Sequence, residues 1–253
     1  MKPYRKTTRF SVTLNRKVSF YESSTLGPEE PGPLLILHDG QNLFDDKTAA
    51  YGCSWRVWEA MNQPGVPKLR VLGINNCEDG EGRLDEYSPF KGSKILLSEG
   101  FSRIAGGQGD LYLRYVMEEV VPRYTAKHPT TAIYMGGSSM GGFITLCAAM
   151  AYPDRLTGVF GLSNAWWFAE GKLLKRLEAF DGELPRMYWD TGDNESSSPT
   201  HNRRYLKTHY RVMEAIAQKP ARDLKTAVIP GGIHHESAWA LRLADVLRWL
   251  IQP

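Results

Sequence analysis

Short apolar runs set apart by stretches of helical period dominate the chain from Leu34 onward. Leu34-Leu35-Ile36-Leu37 has no polar interruption, as expected of a strand covered on both faces in a parallel sheet. Similar short runs recur at Arg70 to Ile74, Ala132 to Met135, Gly158 to Leu162, Met187 to Asp190 and Leu224 to Ile229, some with a polar residue in them. Between them lie helix-period segments: Ser54 to Asn62, Leu111 to Tyr124, Met140 to Tyr152, Lys172 to Phe180, Asn202 to Gln218 and Glu236 to Ile251. Strands alternating with such helices predict a mostly parallel sheet wrapped on both sides.

The opening of the chain differs. Thr8 to Leu14 and Lys17 to Glu22 alternate in part around Asn15-Arg16, which predicts an antiparallel hairpin. Ser23 to Pro33 is rich in Gly, Pro and Glu and should be a loop. Asn75 to Gly109 has little regular period and reads as loops over the sheet edge, where ligand contacts gather. No internal repeat interrupts this order, so one α/β domain over residues 1–253 is expected.

Composition then removes several function classes. A hydrophobic fraction of 42% in 253 residues supplies a sizeable core. The net charge of +3 arises from 31 basic against 28 acidic residues with no basic block, so no nucleic acid or anionic membrane partner is expected. Cys53, Cys77 and Cys147 form neither a disulfide framework nor a metal motif. Met1 to Leu14 has no apolar core of a secretory signal, and no run reaches the length of a membrane span. A cytoplasmic enzyme is the expectation.

The chemistry concentrates at Gly137-Ser138-Ser139-Met140-Gly141, a G-x-S-x-G between a predicted strand and a predicted helix. Small residues permit a sharp turn there, one that holds the central hydroxyl clear of the backbone, so Ser139 is the candidate nucleophile. A serine needs a base to take its proton and a third group to orient that base, in the chain order Ser, acid, His. The Gly-rich turn after the last strand carries His234 and His235, either of which suits the base by position. Past the preceding strand lie Asp190, Asp193 and Glu195, and chemistry alone does not choose among them. Two N–H donors must also face the oxyanion: the Met140 amide at the helix start, and the Gln41 amide in the turn Asp39-Gly40-Gln41-Asn42. His38 and Asp39 read as structural members of that turn. A zinc site is not expected, because His235-Glu236 has no second His four residues on.

Six segments carry a resemblance: Leu35 to Phe44 (LILHDGQNLF), Arg83 to Pro89 (RLDEYSP), Gly136 to Gly142 (GGSSMGG), Gly161 to Phe168 (GLSNAWWF), Gly192 to Glu195 (GDNE) and His234 to Trp239 (HHESAW). Together they resemble the putative esterase family, which includes enterochelin esterase, feruloyl and acetylxylan esterase domains, S-formylglutathione hydrolase and the mycolyltransferases. The resemblance implies an α/β-hydrolase fold. It also implies Glu195 as the acid, with Asp193 in reserve, and His234 as the base, because Trp239 follows it by five residues. The implied activity is cofactor-independent hydrolysis of a carboxylic ester, on a sugar, a phenolic acid or a small thiol, through an acyl-enzyme on Ser139.

Trp166 and Trp167 stand where relatives read S-P-x-F-W, just after a predicted strand, and are candidates to line an acyl or sugar pocket; adjacent side chains diverge, so at most one faces ligand. Tyr87 and Arg83 are candidates both for substrate contact and for loop pinning. Two other readings remain at this level: an acyltransferase using the same acyl-enzyme, and a non-catalytic module that binds carbohydrate or protein through the Trp166 region. The sequence leaves the oligomeric state open.

Overall fold

The computed structural model describes residues 3–93 and 100–252; residues 94–99, inside the predicted loop region, lie outside it. Eight strands form one sheet: β1 (Arg5–Ser11), β2 (Arg16–Ser24), β3 (Gly32–His38), β4 (Arg70–Ile74), β5 (Thr130–Ser138), β6 (Gly158–Leu162), β7 (Leu184–Gly192) and β8 (Ala221–Ile229). Their spatial order is β1-β2-β4-β3-β5-β6-β7-β8. β1 and β2 pair antiparallel, β2 joins β4 antiparallel, and every later pairing is parallel.

β4 and β6 coincide with their predicted runs, whereas β3, β5 and β7 extend past both ends of theirs, where the ladder still supplies hydrogen-bond partners. The hairpin lies earlier than the alternation suggests: Ser11 pairs with Arg16, and the turn is closed by the Asn15 amide bonding to Val12 O at 3.2 Å. Asn15 sits at φ 49°, a left-handed conformation that asparagine tolerates better than most residues.

Helices cover both faces: α1 (Val57–Met61), α2 (Gly82–Glu86), α3 (Gly109–Arg114), α4 (Val121–Thr125), α5 (Met140–Ala151), α6 (Glu170–Ala179), α7 (Pro199–Ala217) and α8 (Glu236–Leu250). A π-helical stretch, Tyr115–Val120, joins α3 to α4. β3 shows why both sides must be covered. Leu34 and Ile36 belong to the core beneath α5, whereas Leu35 and Leu37 belong to the opposite core with Val57, Leu243 and Leu247. α5 is buried on all sides, which accounts for its almost wholly apolar sequence.

Two helical boundaries depart from the periodicity for local reasons. α1 begins three residues later than its pattern, because the Ser54 amide and hydroxyl are both held by Asp46 Oδ1 at 2.8 Å and Arg56 turns left-handed at φ 50°. α7 begins three residues earlier, with Ser198 accepting from the His201 amide and Pro199 in the first turn, where its missing N–H is no loss. Within the expected loop Asn75 to Gly109, α2 supplies one short helix.

Candidate active site

The turn between β5 and α5 holds Ser139 at φ 55° and ψ −118°, a conformation that ordinary L-residues avoid. Tertiary bonds impose it. The Ser139 amide donates to Leu162 O at 2.9 Å, and its carbonyl accepts from the Ala165 amide at 3.1 Å. The glycines are required by space: a Cβ on Gly137 would lie 2.7 Å from the Gly141 carbonyl carbon, and one on Gly142 would lie 1.8 Å from Asn164 Oδ1. The sequence Gly-x-Ser-x-Gly-Gly thus folds into a tight elbow that presents a half-buried serine at the carboxyl end of the sheet.

Of the two histidines, His234 bonds through Nδ1 to Glu195 Oε2 at 2.8 Å. His235 instead caps α8, its Nδ1 accepting from the Ser237 amide at 3.2 Å. The three carboxylates separate as clearly. Asp190 is fully buried and held by Arg242 at 2.7 and 3.0 Å. Asp193 is exposed and accepts from the Gly231 amide at 2.7 Å, linking the turn after β7 to the turn after β8.

Glu195 is buried and accepts as well from the Gly192 amide and from Thr191 Oγ1. Burial opposes its ionisation, but His234, the Gly192 amide and Ser163 outweigh that effect and hold its carboxyl below the usual range. Trp239, one turn into α8, stands edge-on to the His234 ring with centroids 5.2 Å apart and donates to Ser163 Oγ at 2.8 Å. Its position fixes the imidazole from the side.

Opposite, the turn after β3 starts with Asp39 at φ 57°. Arg83 grips the Asp39 carboxylate from two nitrogens at 2.7 and 2.8 Å, Asn76 donates to it, and the Asp39 amide donates to Tyr87 Oη at 3.0 Å. Burial works against the Asp39 charge, yet Arg83 and Asn76 keep its carboxyl low. Farther along the turn, Asn42 Nδ2 donates to Glu236 Oε1 at 3.3 Å.

Among the described residues, neither the Gln41 nor the Met140 amide donates to a protein acceptor. Both residues belong to elements that end in the cleft. Ser139, His234, Gln41, Asn42, Arg83 and Tyr51 line one cavity of about 190 Å³. A hydroxyl, an imidazole braced by a buried carboxylate, and free amides beside one cavity form the set that serine acyl transfer requires.

The remaining candidates divide. Tyr87 is fully buried and pins the Asp39 turn, so its place is behind the site and not in contact with substrate. Trp166 is likewise buried, packed on Phe143 and Trp189 at 6.1 and 5.4 Å, and does not face ligand. Trp167 does reach a cavity, one of about 180 Å³ that it shares with Tyr205, Arg204, Glu195 and His234. Arg83 both pins the turn and lines the cleft. Asn76 and Glu236 were missed by sequence reasoning, since an isolated polar residue in a loop carries no periodic or motif signal. Among the described residues no cluster of His, Cys, Asp or Glu is arranged to hold a metal ion.

The strand order and the helices on both faces define an α/β-hydrolase fold, and its family match makes the chain an ester-hydrolysing enzyme. The chain belongs to the putative esterase family, whose model matches residues 11–250. It is 23% identical over 244 residues to the uncharacterized protein YbbA of Bacillus subtilis, covering 93% of this chain and 92% of that protein. An IroE-like serine hydrolase from Shewanella oneidensis superposes with a TM-score of 0.75 at 18% identity, over 97% of this chain and 79% of the other. The BES protein of Bacillus cereus gives 0.74 at 16% identity, over 98% and 96%. The enterobactin esterase FES of Shigella flexneri gives 0.71 at 20% identity; 99% of this chain matches about 60% of that longer one. No described helix is long and apolar enough to cross a membrane.

Proposed function

We propose that this chain, as one esterase domain over residues 1–253, hydrolyses a small-molecule carboxylic ester by a Ser139–His234–Glu195 triad without a cofactor. The observation that carries the proposal is the 2.8 Å bond from His234 Nδ1 to buried Glu195, with Nε2 left to serve Ser139 in the shared cavity. Ser139 Oγ attacks the ester carbonyl while His234 takes its proton. The Met140 and Gln41 amides receive the oxyanion. The imidazolium returns the proton to the leaving alcohol, and water attacks the acyl-enzyme by the same route.

Solved neighbours described as an enterobactin esterase and as siderophore hydrolases support an ester of a small molecule as substrate. A sugar, a phenolic acid or a small thiol remains the class of ester we infer. Arg83 and Trp167, which line two cavities that both include His234, are the side chains we infer to touch it. The three free cysteines, Cys53, Cys77 and Cys147, accord with a cytoplasmic setting.

A fluorophosphonate probe tests the nucleophile. Wild type should be labelled and Ser139→Ala should not; labelling at an unchanged rate in Ser139→Ala removes the triad from consideration.

A further inference from the structure

A second concavity, of about 280 Å³, opens on the α3–α4 side of the sheet between β1 and α4. It shares no lining residue with the cavity that holds Ser139 and His234. Arg5, Thr7 and Arg9 alternate along β1 and so point to one face, as the pairing of Arg5 with Glu22 and Thr7 with Phe20 confirms. From the other wall come Arg123 and Lys127, four residues apart at and beyond the end of α4. Four cations thus ring a floor of Phe20, Leu72 and Val120, with Tyr124 at the side.

Glu22 is the one acid that lines it, and its carboxylate accepts from Thr7 Oγ1. Among the described residues no ion pair joins Arg5, Arg9, Arg123 or Lys127 to an acid. Arg70 nearby provides the contrast: its guanidinium is spent on the carbonyls of Gly27, Pro28, Glu30 and Pro129. Cations that merely guard an edge strand need only project outward from it. Here the exposed Arg5 and Arg9 share one apolar-floored groove with Arg123 and Lys127 of the facing wall, where like charges repel.

We propose that this groove is a binding site for a small amphipathic anion: a carboxylate or phosphate head on a compact apolar body. The rim supplies bidentate guanidinium donors for the head, and the aliphatic and aromatic floor covers the body. The volume lies near the lower end of small-molecule sites, about 300 Å³ and upward, which suits one small molecule better than a polymer segment.

Calorimetric titration of the whole protein with phenyl phosphate, benzoate, inorganic phosphate and benzyl alcohol at low salt tests the site. Phenyl phosphate or benzoate should bind one to one and weaken as salt is added, with whichever head is preferred binding more tightly. Inorganic phosphate should bind less tightly and benzyl alcohol should not saturate. The double variant Arg9→Glu/Arg123→Glu, exposed positions remote from the cleft, should lose at least about tenfold in affinity and retain wild-type ester hydrolysis. Should it fail to fold, Lys127→Ala with Arg5→Ala serves the same purpose. Unchanged affinity in a folded variant, or no saturable binding of either anion below about 10 mM, overturns the proposal.

Discussion

Glu195→Gln is the substitution whose consequence follows most directly from the geometry. Both carboxylate oxygens are committed, Oε1 to the Gly192 amide and Thr191, and Oε2 to His234 Nδ1 at 2.8 Å. A glutamine keeps the shape but offers one acceptor where two are needed. The Gly192 N–H can only donate, so the amide oxygen must stay with it, and the new NH2 then faces His234. The ring meets that donor by moving its proton from Nδ1 to Nε2. In the proposed triad an Nε2 that already carries a proton can no longer take one from Ser139.

Forcing the wrong tautomer in a triad of this kind lowers kcat by about 10⁴, equivalent to about 5.5 kcal/mol at about 1.36 kcal/mol per tenfold. The folded state keeps its Gly192 bond, so the loss of stability should be no more than about 1 kcal/mol. Steady-state hydrolysis of p-nitrophenyl acetate, beside a thermal melt, reads both quantities. Asp193→Asn is the control, because the exposed Asp193 merely accepts from Gly231. If Glu195→Gln retained activity within tenfold of wild type, or if Asp193→Asn lost thousands-fold, the acid would be misassigned.

Three more outcomes can be checked. His234→Ala should lose at least about 10³ in kcat, whereas His235→Ala should lose only a helix cap worth about 1 kcal/mol of stability; kinetics and denaturation on both variants separate them. Gly142→Ala drives its Cβ into Asn164 Oδ1 at 1.8 Å and should destabilise by about 1–3 kcal/mol, visible as a lowered denaturation midpoint. His38 and His209, both buried, are each depressed to about 4 by desolvation. The unfolded chain therefore binds protons more readily, so stability should be full above about pH 6.5 and fall by up to roughly 3 kcal/mol per histidine towards pH 4. Urea midpoints at pH 7 and pH 4.5 should differ less in the His38→Gln/His209→Gln variant than in wild type, and an equal difference would count against the two residues.

Buried strands and helices announce themselves because the sheet is covered on both sides: Leu34 to Leu37 can be nothing but apolar when alternate residues enter two cores. Strand ends and helix starts are less legible, since they depend on partners far away, as Asp46 determines where α1 begins. The same division runs through the site. The elbow has a local signature because its sterics are local. By contrast, nothing in the sequence near Asp39 discloses that Arg83, Asn76 and Tyr87 converge on it across 37 to 48 residues. The separation of Trp166 from Trp167 likewise depends on which side of a 3-10 turn meets the core.

The bond from Asn42 to Glu236 spans 194 residues of chain, and it joins the turn that would steady the developing negative charge to the helix that begins just after the proposed base. The two banks of the cleft therefore behave as a single clamped frame. Admission of bulkier esters should be governed by the open margin, where Tyr51 is 73% exposed and its ring tilts against that of His235. Variation in molecular appetite among kindred sequences should accordingly gather at that lip, leaving the clamp undisturbed.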